Sequence, residues 1–245
     1  MEKFIVYFLL LFFGSSVMSM PSHYSSSSFG GTAKLQGQVF KNLTIAGSGN
    51  LTEMIVAQLT AGGSLKAVSS TFDSVVVAGS AYFDSCTIKQ VLHVRGSCHI
   101  NNSRVHDGSI FGRATIKDSQ LTGAIIIHGR TDLKHCSIDS SLTVRGALVA
   151  DDCKINQLVS NGMENELKQC TVTGSVEIGG KSHGFWLFIT WLWSIFYRQK
   201  KQQVILTDTI VQDDITFKDK NDGIVVLNGN SSIQGNVVNG SITHC

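Results

Sequence analysis

The sequence predicts an all-β fold, a single-stranded parallel β-solenoid with rungs of about 17 residues. Two observations predict it. Glycines recur at 62, 79, 96, 112, 129, 146, 162 and 179, with spacings of 16 or 17. Each closes a short alternating stretch rich in Val and Ile, as in Val75-Val76-Val77-Ala78-Gly79, Leu142-Thr143-Val144-Arg145-Gly146 and Val176-Glu177-Ile178-Gly179. Alternation over four or five residues is a strand signal, and a fixed period of this length marks stacked repeats.

After each glycine comes an apolar residue four positions on: Phe83, Ile100, Ile116 and Leu133. Two polar residues and a small one follow, as in Asp84-Ser85-Cys86, Lys134-His135-Cys136 and Asp151-Asp152-Cys153. Two residues later an apolar side chain returns, at Ile88, Val105, Leu121, Ile138 and Ile155. Each rung therefore holds short strands between a polar corner and a glycine corner, where the glycine is expected to supply positive φ. One rung cannot offset its own ordering entropy, so stability is expected to come from stacking.

Flanking segments complete the domain plan. Lys3, the apolar run Ile5 to Phe13 and the small residues 14–19 read as a secretory signal over 1–19, too short to span a bilayer. Residues 20–30 read as a Ser-rich leader and 31–180 as solenoid. The register breaks after Gly180 and resumes at Val204, where Leu206, Thr209, Val211, Ile215 and Phe217 repeat the spacing of Leu167, Cys170, Val172, Val176 and Ile178. Residues 181–203 are thus an insertion, and 204–245 continue the solenoid.

The insertion carries Phe185, Trp186, Phe188, Trp191, Trp193, Phe196 and Tyr197, followed by Arg198, Lys200 and Lys201. Such a stretch lacks a polar face and needs a partner: either a membrane surface, with the cations at anionic headgroups, or a protein interface. The expected location is outside the cytoplasm, as a periplasmic, envelope or secreted protein.

Composition narrows the chemistry. Charged residues are 16% of the chain and the net charge is +2, so no global field points to nucleic acid. The 24 glycines lack the three-residue period of collagen. The segment Gly174 to Ser182 imitates a phosphate-binding loop with one residue too many, so no cofactor is expected. Asp151-Asp152 and Asp213-Asp214 are strand neighbours that point to opposite faces, which argues against acid–base catalysis and for a non-enzyme.

Cys86, Cys136, Cys153 and Cys170 share a column with Ser103, Ser119 and Thr209 that wants a small, weakly polar inward group. Adjacent rungs also lie within disulfide range, so a Cys136–Cys153 bridge is open; a row of thiols is a poor tetrahedral metal cage. Arg95, His128 and Arg145 share the column before the corner glycine. They form either a solvated basic row or an anion-binding one for glycan or headgroup.

The Gly-x-Val-x-x-Gly corners, Gly174-Ser175-Val176-Glu177-Ile178-Gly179 and Gly235-Asn236-Val237-Val238-Asn239-Gly240, resemble those of the bactofilins, bacterial polymer-forming β-helices without nucleotide. The resemblance implies self-assembly by end-to-end stacking; the signal segment and the Trp-rich insertion depart from that cytoplasmic family. The leading expectation is an exported, self-associating scaffold, with a glycan-binding β-helix or a polysaccharide-active enzyme as alternatives.

Overall fold

A computed structural model describes residues 25–179, 201–218 and 223–244. They form a parallel β-solenoid whose strands stack into a sixteen-stranded and a twelve-stranded sheet. The first turn shows the plan: β1 (Ser25–Phe29) lies on the larger sheet, β2 (Ala33–Gln36) on the smaller, and β3 (Val39–Ile45) returns to the larger. Strands between the two end rungs pair in parallel with their copies above and below, as Thr131–Lys134 does with Ala114–Lys117 and Leu148–Asp151. The solenoid begins earlier than the Ser-rich composition suggests, because Ser27, Ser28 and Phe29 pair with Leu43, Thr44 and Ile45. Serine hydroxyls are tolerated there because the strand sits on an outer edge and Phe29 supplies the apolar contact to the core.

Alternation fixes what is inside. In one turn Leu133, Ile138, Leu142 and Val144 point inward and are almost fully buried, while Lys134 is exposed. Each inward side chain rests on its equivalents one rung away, so the core is a set of columns such as Phe72, Ile88, Val105, Leu121, Ile138 and Ile155. Ser160 and Asn165 break the apolar pattern; the serine hydroxyl donates to the Asn165 side chain at 2.5 Å, so the two buried groups satisfy each other. The insertion leaves the columns intact. Leu167 pairs with Leu206, Val172 with Val211 and Ile178 with Phe217, as the sequence spacing requires.

The two corners differ in a way the sequence does not announce. Positive φ falls at the polar corner, on Glu53, Ser69, Ser85, Asn102, Asp118, His135, Asp152, Gln169 and Asp208, with Asn239 at the other corner as the non-glycine exception. The expectation that the corner glycines serve positive φ is corrected. Among them only Gly179 has it, while Gly37 and Gly229 belong to the polar-corner column. The other corner glycines are required by close stacking. A Cβ on Gly96 would lie 2.6 Å from the Gly79 carbonyl oxygen, and one on Gly146 would lie 2.4 Å from that of Gly129. The stacked column runs 47, 63, 79, 96, 112, 129, 146 and 162, so it is Gly63 and not Gly62 that lies between Gly47 and Gly79.

Behind the positive-φ residue stands a column of hydrogen-bonding side chains. Ser103 Oγ accepts the Cys86 amide at 2.9 Å and donates to the Asn101 carbonyl at 2.6 Å. Ser119 Oγ accepts the Ser103 amide at 3.1 Å, Cys153 Sγ the Cys136 amide at 3.4 Å and Thr209 Oγ1 the Cys170 amide at 3.2 Å. The sharp turn leaves one amide per rung without a ladder partner, and the next rung's hydroxyl or thiol fills that vacancy. Small size and a donor–acceptor atom are both needed, which explains why only Ser, Thr and Cys occupy the column from Ser70 to Thr209.

Candidate functional site

Of the chain's six arginines, Arg95, Arg104, Arg113, Arg130, Arg145 and Arg198, four flank the glycine corner, one in each of four consecutive rungs. Arg95 and Arg145 precede their corner glycines, as the sequence indicates; Arg113 and Arg130 directly follow theirs. Between the two columns runs the stacked line Gly96, Gly112, Gly129 and Gly146, a strip that carries no side chains. The amides of Arg95, Phe111, His128 and Arg145 bond to Val77, Val94, Ile110 and Ile127 carbonyls at 2.8–2.9 Å, which holds that column in line.

Phe111 interrupts the basic row inferred from sequence. It is 46% exposed and lies between His93, at a centroid distance of 5.3 Å, and His128, at 4.4 Å with planes 17° apart. The rings stack along the solenoid axis, so the Phe111 and His128 faces cover each other. Aromatic edges carry the positive end of the ring quadrupole, so this stack does not dilute the positive character of the edge. The His128 imidazole is held below its ordinary value, first by partial burial and then by the Arg145 charge.

On the other side of the strip, Arg130 Nε donates to Asp132 at 3.0 Å and Arg113 Nε lies 4.0 Å from the same carboxylate. Among the described residues Arg95 and Arg145 have no ion pair. One carboxylate against four guanidiniums leaves the edge positive although the whole chain is near neutral. Sequence reasoning missed Arg113 and Arg130 because they belong to a different column from Arg95; the repeated Gly-Arg at 112–113 and 129–130 was the available signal.

The remaining candidates behave as follows. Cys136 and Cys153 occupy adjacent rungs as buried free thiols, as do Cys86, Cys98 and Cys170. Burial raises the Cys86 and Cys98 thiols; for Cys136 the hydrogen bond with Cys153 is the larger cause, with burial adding to it. The raised thiols of Cys86, Cys98 and Cys136 stay protonated at neutral pH and are poor nucleophiles, while the hydrogen bond with Cys153 lowers the Cys170 thiol. Asp151 lies 3.9 Å from Lys134 and Asp152 lies 3.8 Å from His135, on different partners. Asp213 accepts the Asp214 amide at 2.8 Å, and Asp214 accepts the Asn236 amide at 2.7 Å. No group of His, Cys, Asp and Glu among the described residues has metal-binding geometry.

The signal segment and insertion residues Phe185, Trp186, Phe188, Trp191, Trp193, Phe196, Tyr197, Arg198 and Lys200 lie outside the described residues, while Lys201 is described and exposed. Among the described residues no helix is long and apolar enough to cross a membrane. Comparison with protein-family models, curated proteins and solved structures gave no match to the chain.

Proposed function

We propose that this chain is a non-catalytic solenoid scaffold that holds an anionic partner along one edge. The carrying observation is the placement of Arg95 and Arg145 on one side, and Arg113 and Arg130 on the other, of a strip without side chains over four consecutive rungs. Guanidinium forks suit carboxylate, sulfate and phosphate oxygens, and a rigid backbone sets their spacing before binding. Export, suggested by Ile5 to Phe13, would place the edge outside the cell, and the Trp-rich insertion supplies a second attachment to membrane or protein.

The test is equilibrium binding of polyphosphate at low salt. Wild type should bind, and the combined Arg95→Gln, Arg113→Gln, Arg130→Gln and Arg145→Gln variant should lose at least tenfold in affinity. Equal binding by both would overturn the reading.

Self-association is a second reading with its own observation. In the last described rung Ile242, a member of an inward column, is 46% exposed, and the strand Gly240–His244 is paired on one side only. The bactofilin-like corner pattern points the same way. A mass that rises with concentration in light scattering supports this reading, and a constant monomer mass removes it.

A further inference from the structure

The edge has a length, a period and a cross-section, and together they select among anions. We infer that the strip takes an extended acidic polysaccharide, with an acid group on each sugar and the chain lying along the glycine line. This inference rests on the anion-binding reading of the same edge.

The Cβ positions of Gly96, Gly112, Gly129 and Gly146 are each within 2.6 Å of a glycine carbonyl oxygen one rung away, so the floor cannot carry side chains. Arg95, Phe111, His128 and Arg145 stand on one side of it, and Ser97, Arg113, Arg130 and Ala147 on the other. A bare floor one residue wide with groups on both sides suits a slender linear chain better than a globular ligand.

The period comes next. Consecutive rungs are spaced by about 4.8 Å, so the stretch from Arg95 to Arg145 covers roughly 14 Å with one guanidinium per rung. A pyranose in an extended chain repeats on that same scale, and a uniformly acidic chain therefore presents one anion per rung. Along duplex DNA the phosphates of one strand advance by roughly 3.4 Å of helix axis per step, shorter than a rung, so they do not keep one anion per rung.

Single-stranded nucleic acid suits this pair of rings less well. Such ligands are held by stacking bases on aromatic faces. Here Phe111 and His128 are stacked on each other at 4.4 Å, so one face of each ring is already covered. Arg95 and Arg145, without carboxylate partners among the described residues, remain open to bidentate contact with an incoming acid.

The experiment uses the full chain and de-esterified polygalacturonate. The same polymer fully methyl-esterified, an oligothymidylate of equal charge number, polyphosphate and phosphatidylserine vesicles serve as comparators. Polygalacturonate should bind at least tenfold more tightly than oligothymidylate, and the ester should not bind. Ala147→Trp, which fills one side of the strip and removes no charge, should weaken polygalacturonate at least tenfold with an unchanged circular dichroism spectrum. Ser97→Trp repeats the test should Ala147→Trp misfold.

Oligothymidylate, polyphosphate or vesicles binding as tightly as polygalacturonate would overturn the polysaccharide assignment and leave the anion-binding edge standing. Ester binding equal to the acid, or indifference to both tryptophan variants in folded protein, would overturn it too. Failure of every polyanion to bind would remove both readings.

Discussion

A Cβ placed on Gly129 would lie 2.3 Å from the carbonyl oxygen of Gly112, one rung away. No rotamer relieves that overlap, because both partners are backbone. Gly129→Ala should therefore destabilise the solenoid by about 1–3 kcal/mol or more, the usual cost of overpacking. Gly30→Ala, where nothing lies within 4 Å, should be close to neutral. Denaturant midpoints of the two variants check this, and equal midpoints would contradict the stacking role.

At the opposite corner the strain runs the other way. Gln169 has φ of 49° without being glycine, a conformation that costs an ordinary residue about 1–2 kcal/mol. Gln169→Gly should raise stability or leave it unchanged, whereas glycine at a neighbouring half-buried strand position such as Thr171 should lower it. Thermal melts of the two variants suffice.

The inward hydroxyl column makes a chemical prediction. Ser103→Ala strands the Cys86 amide, which now donates to Ser103 Oγ at 2.9 Å, and should cost about 1–3 kcal/mol for an unsatisfied buried donor. Ser103→Cys should cost less, because cysteine performs the same office at Cys153. The five described thiols should label with iodoacetamide only on unfolding, and a Cys136–Cys153 cross-link in a non-reduced digest would contradict the free thiols seen here.

Protonation of His128 links the edge to pH. Its pKa is lowered in the folded chain, so between that value and the unfolded value near 6.5 the unfolded chain binds more protons. The His128 contribution to stability is present above pH 6.5 and is lost as pH falls through the lowered folded pKa. A bound polyanion offsets the Arg145 charge and should move the pKa back up. Imidazole resonances followed with and without polygalacturonate would show the shift, and an unchanged titration would place the ligand elsewhere.

Much of the fold was legible because a repeat writes its register many times over. Leu133, Ile138 and the post-insertion residues Leu206 to Phe217 lie where their spacing puts them. The role of the corner glycines was not legible. Positive φ and close backbone approach both select glycine, and only the stacked carbonyls distinguish them. Rung length alternating between 16 and 17 hid Gly63 behind Gly62. Half of the basic edge was missed for a related reason: Arg113 and Arg130 lie across the glycine line from the column of Arg95 and Arg145, a placement that a search along one column does not reveal.

Position, not net charge, should govern polyanion binding, and one comparison separates the two. The variant Arg95→Gln, Arg113→Gln, Arg130→Gln and Arg145→Gln removes the same charge as Lys34→Gln, Lys41→Gln, Arg104→Gln and Lys154→Gln, all exposed positions away from the glycine corner. Polygalacturonate affinity measured at a fixed low ionic strength should fall at least tenfold in the first and less than threefold in the second. Equal losses in the two would mean that only overall charge is sensed and that the arginine edge is not a binding site.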